Sequence, residues 1–253
     1  MEITFLGTGT SGGVPLIGCQ CEVCKSTDPR DKRLRTSVLI KTHKLNLVID
    51  CGPDFRQQML REDVRHLDAI LMTHQHKDHT GGLDDIRSYN FINKRAVDIY
   101  CDEATELGIR DQYSYIFGDT DYPYLPKMKF IRVEDQPFKV GEVDVTPVEV
   151  MHATMPVKGY RFGHFTYITD AKTITEEERV KIRGTRILVI NALRPEAHYS
   201  HFNMEEALAF AADIKAETTY LTHMSHQFGL HEVTSKTLPP GVMAAYDGLK
   251  ISI

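Results

Sequence analysis

His74, His76, Asp78 and His79 place three imidazoles and a carboxylate within six residues, in the order His-Gln-His-Lys-Asp-His. A nitrogen-rich donor set of this kind suits Zn²⁺, and Mn²⁺ or Fe²⁺ is also compatible with it. A solvated loop could carry the same residues. Here, however, an apolar run leads straight into the cluster and the pair Gly81-Gly82 follows it, which suits ligands delivered to one rim better than a free loop. A second group of donors lies near the start, where Cys19, Cys21 and Cys24 fall within six residues. Clustered cysteines in an intracellular protein bind metal more often than they form disulfides. Cys51 and Cys101 stand alone beside apolar runs and read as core thiols.

These donors need elements to position them. Residues 2–6 read as a strand, followed by a glycine-rich loop over 7–13. Residues 38–40 and 45–49 read as a hairpin that ends at Asp50-Cys51-Gly52, and a helix is expected over 54–61. Residues 67–72 form a short apolar run stopped at Thr73, the pattern of a buried strand. The histidine cluster starts directly after it, and 83–89 turn into a helix. In the second half, 143–150 alternate into His152, 165–169 run into Asp170, 187–191 form a third apolar strand, and 218–222 end at His223. Four strands therefore finish at a potential ligand, and loops at strand ends converge on one rim. Residues 204–215 form an amphipathic helix with Glu205 and Glu206 in its first turn, where the helix dipole favours negative charge. Between 110 and 130, Tyr113, Tyr115, Phe117, Tyr122 and Tyr124 are interleaved with Asp119, Asp121, Pro123 and Pro126. That segment reads either as a surface loop packed by its own aromatics or as a lid or homodimer contact near the site.

The chain has 253 residues, 42% of them hydrophobic, and a formal net charge of −5. Length and composition suit a single domain over 1–253 with a substantial core. The acidic balance gives no global field for polyanions, so stable nucleic-acid binding is not expected and any phosphate must be held locally. The first residues lack the basic and apolar regions of a signal peptide, and no run approaches the roughly 18 apolar residues of a membrane helix. The expected compartment is the cytoplasm, without membrane contact.

The H-x-H-x-D-H block, with Asp50-Cys51-Gly52, His152, Asp170 and His223 in order behind and ahead of it, resembles the signature of the metallo-β-lactamase superfamily. The resemblance implies an α/β (α+β) fold, an αββα sandwich of two mixed β-sheets flanked by helices, and a metal-dependent hydrolase. It further implies that His74, His76 and His152 bind one divalent metal and that Asp78, His79 and His223 bind a second. Asp170 would bridge the two, and Asp50 would orient a ligand histidine from behind. Either Zn or Mn would serve. Two adjacent metals can share a water, lower its pKa toward neutrality and clamp a phosphoryl or carbonyl oxygen, so the expected nucleophile is a metal-held hydroxide rather than a protein side chain.

Three cysteines need a fourth ligand to close a tetrahedral zinc site. His226 is the candidate, three residues past His223, a span of at most about 10–11 Å. A structural Zn held by Cys19, Cys21, Cys24 and His226 would brace the segment that carries an active-site ligand. This cysteine pattern and the Thr222-His223-Met224-Ser225-His226-Gln227 segment resemble the PhnP-type cyclic phosphodiesterases of phosphonate degradation. The cysteines also resemble the pyrroloquinoline-quinone biosynthesis relative of the same fold. In phosphodiesterase branches a histidine at a helix entry gives a proton to the leaving alkoxide, a role that imidazole suits near neutral pH. Here that residue is His201, with His198 close by, and Asp78 counts as catalytic as well as a ligand. The expected function is hydrolysis of a small, cyclic ribose or nucleotide phosphodiester. Thioester hydrolysis, RNA processing and a non-enzymatic accessory role in cofactor biosynthesis are the alternatives.

Overall fold

Ile3, Phe5, Val38, Ile40, Leu47 and Ile49 all enter one buried cluster, whereas their neighbours Leu6, Leu39 and Val48 enter another. Successive side chains of a strand point to opposite faces, so this alternation in fully apolar segments requires a sheet covered on both sides. The computed structural model, which describes residues 1–119 and 122–253, has that arrangement. One sheet contains β1 (Glu2–Gly7), β2 (Ser37–Lys41), β3 (Asn46–Ile49), β4 (Ala69–Leu71), β5 (Val97–Cys101), β6 (Met128–Arg132) and the late β14 (Lys250–Ser252), in the order β14-β1-β2-β3-β4-β5-β6. The other contains β7 (Phe138–Val140), β8 (Val143–His152), β9 (Met155–Phe162), β10 (Phe165–Tyr167), β11 (Ile187–Asn191), β12 (Thr218–Thr222) and β13 (Val242–Ala244), paired in sequence order.

Both sheets mix parallel and antiparallel pairs. Their inner faces meet through Val38, Ile40 and Leu71 from one side and Val145, Tyr160, Tyr167 and Val189 from the other. The outer face of the first sheet packs against Phe55, Met59, Leu83 and Ile86, and that of the second against Ile182, Ala207, Phe210 and Ile214. Helix, sheet, sheet, helix is the expected αββα order.

The parallel pairs bring the site together. β3 and β4 run side by side with Ile49 opposite Leu71, so Asp50 and the segment after Leu71 leave the sheet at the same edge. In the second sheet Tyr167 pairs with Val189 and Asn191 with Thr222, which carries Asp170 and His223 to one edge. The helix Met204–Ile214 begins at a capping box, with Glu206 N–H donating to Asn203 Oδ1 at 2.9 Å and Asn203 N–H donating to Glu206 Oε2 at 3.0 Å. That cap fixes the helix start directly after His201.

Most of 110–119 departs from the loop reading. Asp102 caps the helix Glu103–Gln112 by accepting from Thr105 N–H, and a second short helix covers Ser114–Phe117. Tyr113 is half-buried, and its hydroxyl donates to the carbonyl of Thr80 at 2.8 Å. Tyr115 bonds Asp84 and remains exposed, as do Tyr122 and Tyr124. Asp121 lies outside the described residues. Cys51 and Cys101 are buried core thiols as expected. Among the described residues, no helix is long and apolar enough to cross a membrane.

Candidate metal centre

The histidine motif is less irregular than its sequence suggests. His76 has extended backbone and stands at the head of a one-turn helix, Lys77–Thr80, which contains Asp78 and His79. The turn fits against the loop after β3 because Gly52 has no side chain there. A Cβ on Gly52 would lie 2.1 Å from the carbonyl oxygen of Asp78. Cys51 N–H donates to the His79 carbonyl at 2.7 Å across the same contact.

Asp50 is fully buried and orients two of the histidines. His79 Nδ1 donates to Asp50 Oδ2 at 2.7 Å. Thr73 gives Asp50 its N–H at 2.8 Å and its hydroxyl at 2.9 Å, so Thr73 Oγ1 is left to accept from His74 Nδ1 at 2.9 Å. These bonds put the ring protons of His74 and His79 outward and direct both Nε2 atoms inward. Burial raises the Asp50 carboxyl above its ordinary range, against the pull of His79.

Inside, His74 Nε2 is 3.0 Å from His76 Nδ1, and the His152 ring centre is 6.0 and 5.3 Å from those of His74 and His76. His152 Nδ1 donates to the Ser200 carbonyl at 2.9 Å, leaving Nε2 for the interior. His79 Nε2 is 3.3 Å from both Asp78 Oδ2 and Asp170 Oδ2. His223 Nε2 is 3.3 Å from Asp170 Oδ1 and 3.8 Å from Asp78 Oδ2. His201 Nε2 is 3.0 Å from Asp170 Oδ1. Three groups of ligand atoms form, each within 4.8 Å: His74, His79 and Asp170; Asp78, His79 and His223; His152, Asp170 and His201. Asp170 belongs to two of them, and His76 joins through His74.

Asp50, Asp170 and His223 have φ values of 63°, 56° and 56°. Asp and His are among the side chains that tolerate left-handed backbone best, and three such residues at strand ends fit strain held at a functional site. Asn191 steadies the turn at Asp170 by accepting from Ala171 N–H at 2.8 Å and donating to its carbonyl at 3.0 Å.

The electrostatics fit a divalent cation. Burial opposes charge on Asp170, yet His223 and His79 hold its carboxyl well below the usual range, and Asp78 is depressed in the same way by His79 and His223. Burial and the charge of His79 push His74 well down, whereas Asp170, Asp78 and Asp50 hold His79 well up against its burial. Among the described residues, the ion-pair partners of Asp78 and Asp170 are all imidazoles. His79 Nε2 and both ring nitrogens of His223 are buried without a hydrogen-bond partner. Buried polar atoms are rarely left unpaired in native proteins, so imidazole nitrogens beside ionised carboxylates are a donor set that metal completes.

A second cluster lies behind His223. Cys19, Cys21, Cys24 and His226 bring four ligand atoms within 4.8 Å of one another, and His226 Nδ1 is 3.3 Å from Cys19 Sγ and 3.4 Å from Cys21 Sγ. Cys24 N–H donates to Cys21 Sγ at 3.4 Å, which with His226 holds the Cys21 thiol down to about 6. Burial pushes Cys24 up to about 11. The glycine-rich loop ahead of these cysteines is tied to the His223 segment through Thr10 N–H to the Met224 carbonyl at 3.1 Å and Met224 N–H to the Thr8 carbonyl at 2.9 Å.

The metal ligands expected from the sequence thus lie, together with His201, in one of two clusters, and Asp50 stands behind the first. Thr73, Ser200 and Asn191, which support them, were not singled out. Thr73 carried the one usable signal, a hydroxyl at a strand end directly before a ligand histidine. The other two act across the fold.

A family model described as a beta-lactamase superfamily domain matches residues 45–224. A protein of Porphyromonas gingivalis named octanoyltransferase is 42% identical over 256 residues, covering 100% of this chain and 52% of that protein. The chain therefore spans about half the length of that relative. Among solved structures, a diphosphatase of the PhnP family is 39% identical with a TM-score of 0.93, covering 100% of this chain and 97% of that one. Zinc-bound PqqB from Methylobacterium extorquens matches with a TM-score of 0.79 at 21% identity, with 100% of both chains covered, a likeness of fold alone.

Proposed function

The chain belongs to the beta-lactamase superfamily, and from that premise we propose that it is a hydrolase that cleaves a small, cyclic ribose or nucleotide phosphodiester. His74, His76 and His152 would hold one divalent ion, Asp78, His79 and His223 a second, and Asp170 would face both. Zn²⁺ or Mn²⁺ bound there supplies Lewis acidity to water and to a phosphoryl oxygen. Cys19, Cys21, Cys24 and His226 would hold a structural zinc. Asp50 and Thr73 keep the ring protons of His79 and His74 outward, so that the same nitrogens face the reaction at every turnover.

The observation that carries this reading is the place of His201, buried with Nε2 3.0 Å from Asp170 Oδ1. A ring held there can keep a proton on the side of the cluster from which an ester oxygen departs. A sugar alkoxide needs that proton. A thiolate, whose acid has a pKa of about 8.5, leaves far more readily without it. Burial pushes His201 down to about 4, and its hydrogen bond with Asp170 works the other way. A bound phosphate anion beside the ring would raise it further. Asp78 combines the roles of ligand and charge, its carboxylate lying beside His79 and His223. With a net charge of −5 the chain is poorly suited to a long polynucleotide, whose affinity rests on many phosphate contacts.

The PhnP-family diphosphatase favours a second reading, a diphosphate diester, which presents the same doubly substituted phosphorus. The octanoyltransferase relative, of which this chain spans about half, calls for a thioester control. One metal-loaded sample should be tested on a ribose cyclic phosphate, a diphosphate diester, a linear dinucleotide, a transfer-RNA precursor, S-lactoylglutathione and an octanoyl thioester. The cyclic phosphate should give the highest kcat/KM. A clear win for the diphosphate selects the second reading, and a win for RNA or a thioester rejects both.

A further inference from the structure

His198 faces no carboxylate of the cluster, yet it adjoins the histidine proposed to move a proton. Its Nδ1 lies 3.2 Å from His201 Nδ1, 3.2 Å from Ser200 Oγ and 3.3 Å from the backbone N–H of Ser200. A backbone N–H can only donate. It makes His198 Nδ1 an acceptor and leaves that ring's proton on Nε2. The remaining directions follow. Two lone pairs cannot face each other at 3.2 Å without repulsion, so His201 Nδ1 carries a proton toward His198. Ser200 Oγ, 3.0 Å from His201 Nδ1, can share that proton as a second acceptor. The loop is pinned independently, because the Ser200 carbonyl accepts from His152 Nδ1 at 2.9 Å. One peptide segment therefore orients a proposed metal ligand through its carbonyl and His198 through its amide.

We propose that His198 is a positioning residue that holds His201 in the tautomer with its proton on Nδ1, so that Nε2 is the nitrogen that carries and releases the mobile proton. This rests on the reading of His201 as the acid. In the hydrolysis, the oxygen of water forms the new bond to phosphorus and the ester P–O bond breaks. The departing oxygen keeps the electron pair and takes the Nε2 proton. Of the two protons of water, one resets His201 and the other goes to solvent. The imidazole left after transfer is the Nδ1–H tautomer, the form that the lone pair of His198 stabilises. The opposite tautomer would set two lone pairs against each other.

Nitrogen-15 NMR of the imidazoles in zinc-loaded protein reads the tautomers directly. His198 should be protonated at Nε2 and His201 at Nδ1, and the reverse assignment at His201 overturns the proposal whether or not any ester is turned over. Kinetically, His198→Ala should lower kcat about 10- to 100-fold on an ester with an alkoxide leaving group, with KM unchanged and less than about threefold loss on a p-nitrophenyl ester. His198→Asn, whose carboxamide oxygen can accept where Nδ1 did, should recover most of the loss. In a His201→Ala background, His198→Ala should cost nothing further. Equal losses on both esters, absence of rescue, or an added loss in that background would each overturn the inference. Should His201→Ala itself fail to distinguish the two esters, the acid reading falls and this inference with it. A discriminating His201→Ala beside a silent His198→Ala rejects the inference alone.

Discussion

Single hydrogen bonds decide which nitrogen of each histidine faces inward. His79 is directed by Asp50, His74 by Thr73, and His152 by the Ser200 carbonyl. Asp50→Asn keeps the shape but turns an acceptor oxygen into a donor, against a His79 Nδ1–H that must also donate. We expect about 10- to 100-fold weaker metal affinity with the fold retained. Metal titration followed by calorimetry measures it, and unchanged affinity would show that Asp50 has no orienting role. His201 is tested differently. His201→Ala should keep its metal content and lose about 10²- to 10⁴-fold in rate on esters with poor leaving groups. The loss should shrink for p-nitrophenolate, which departs without a proton. Metal analysis beside the two rates separates a proton donor from a ligand, a distinction made pointed by the grouping of His201 with His152 and Asp170.

Among the elements, the strand ends were the legible part. The apolar runs leading to Asp50, His74, Asp170 and His223 mark β3, β4, β10 and β12, and β11 and β12 have the expected bounds. What a linear reading cannot supply is contact between distant segments. Thr73 reaches Asp50 across 23 residues, Ser200 meets His152 across 48, and His226 meets Cys19 across 207. Thr73 and Ser200 are ordinary residues whose roles exist only once the strands lie side by side. The one-turn helix at Lys77–Thr80 was missed because four residues carry too little periodicity to read. The cysteine loop was legible as a cluster, and its effect belongs to the element it braces. Cys21 both caps the helix Glu22–Lys25 and lies 3.4 Å from His226. Cys21→Ser should therefore lose one tightly held zinc and lower the melting temperature, because structural zinc binding is coupled to folding. Elemental analysis showing the same zinc content as the parent protein would remove the structural-site assignment.

Across the whole molecule, the two ends of the chain close on each other. β14 pairs with β1, Phe5 N–H donates to the Leu249 carbonyl at 2.9 Å, and Arg33 Nη1 donates to the Ala245 carbonyl at 2.8 Å. Behind this seam Arg33 and His231 are both buried, with His231 Nδ1 3.5 Å from Arg33 Nη2 and the His231 amide donating to Asp31 at 2.7 Å. Burial, reinforced by the charges of Arg33 and Arg30, pushes His231 from its ordinary 6.5 down to about 4. The folded state therefore resists a proton that the unfolded chain accepts. Where the unfolded state binds more protons, stability rises with pH. The contribution of His231 is intact above pH 6.5 and is lost as the pH falls from 6.5 toward 4. The loss should be about 1–3 kcal/mol, since one pKa unit corresponds to about 1.4 kcal/mol and partial solvent access reduces the full shift. Metal held at either proposed site would also lose affinity in acid as its ligands protonate, so the wild-type curve alone cannot isolate this residue. His231→Asn keeps an acceptor toward Arg33 and removes the titrating ring. Thermal unfolding of both proteins across pH 4–7, with metal content matched, should give a shallower acid slope for the variant. Parallel curves would place the acid sensitivity of the fold elsewhere than at this seam.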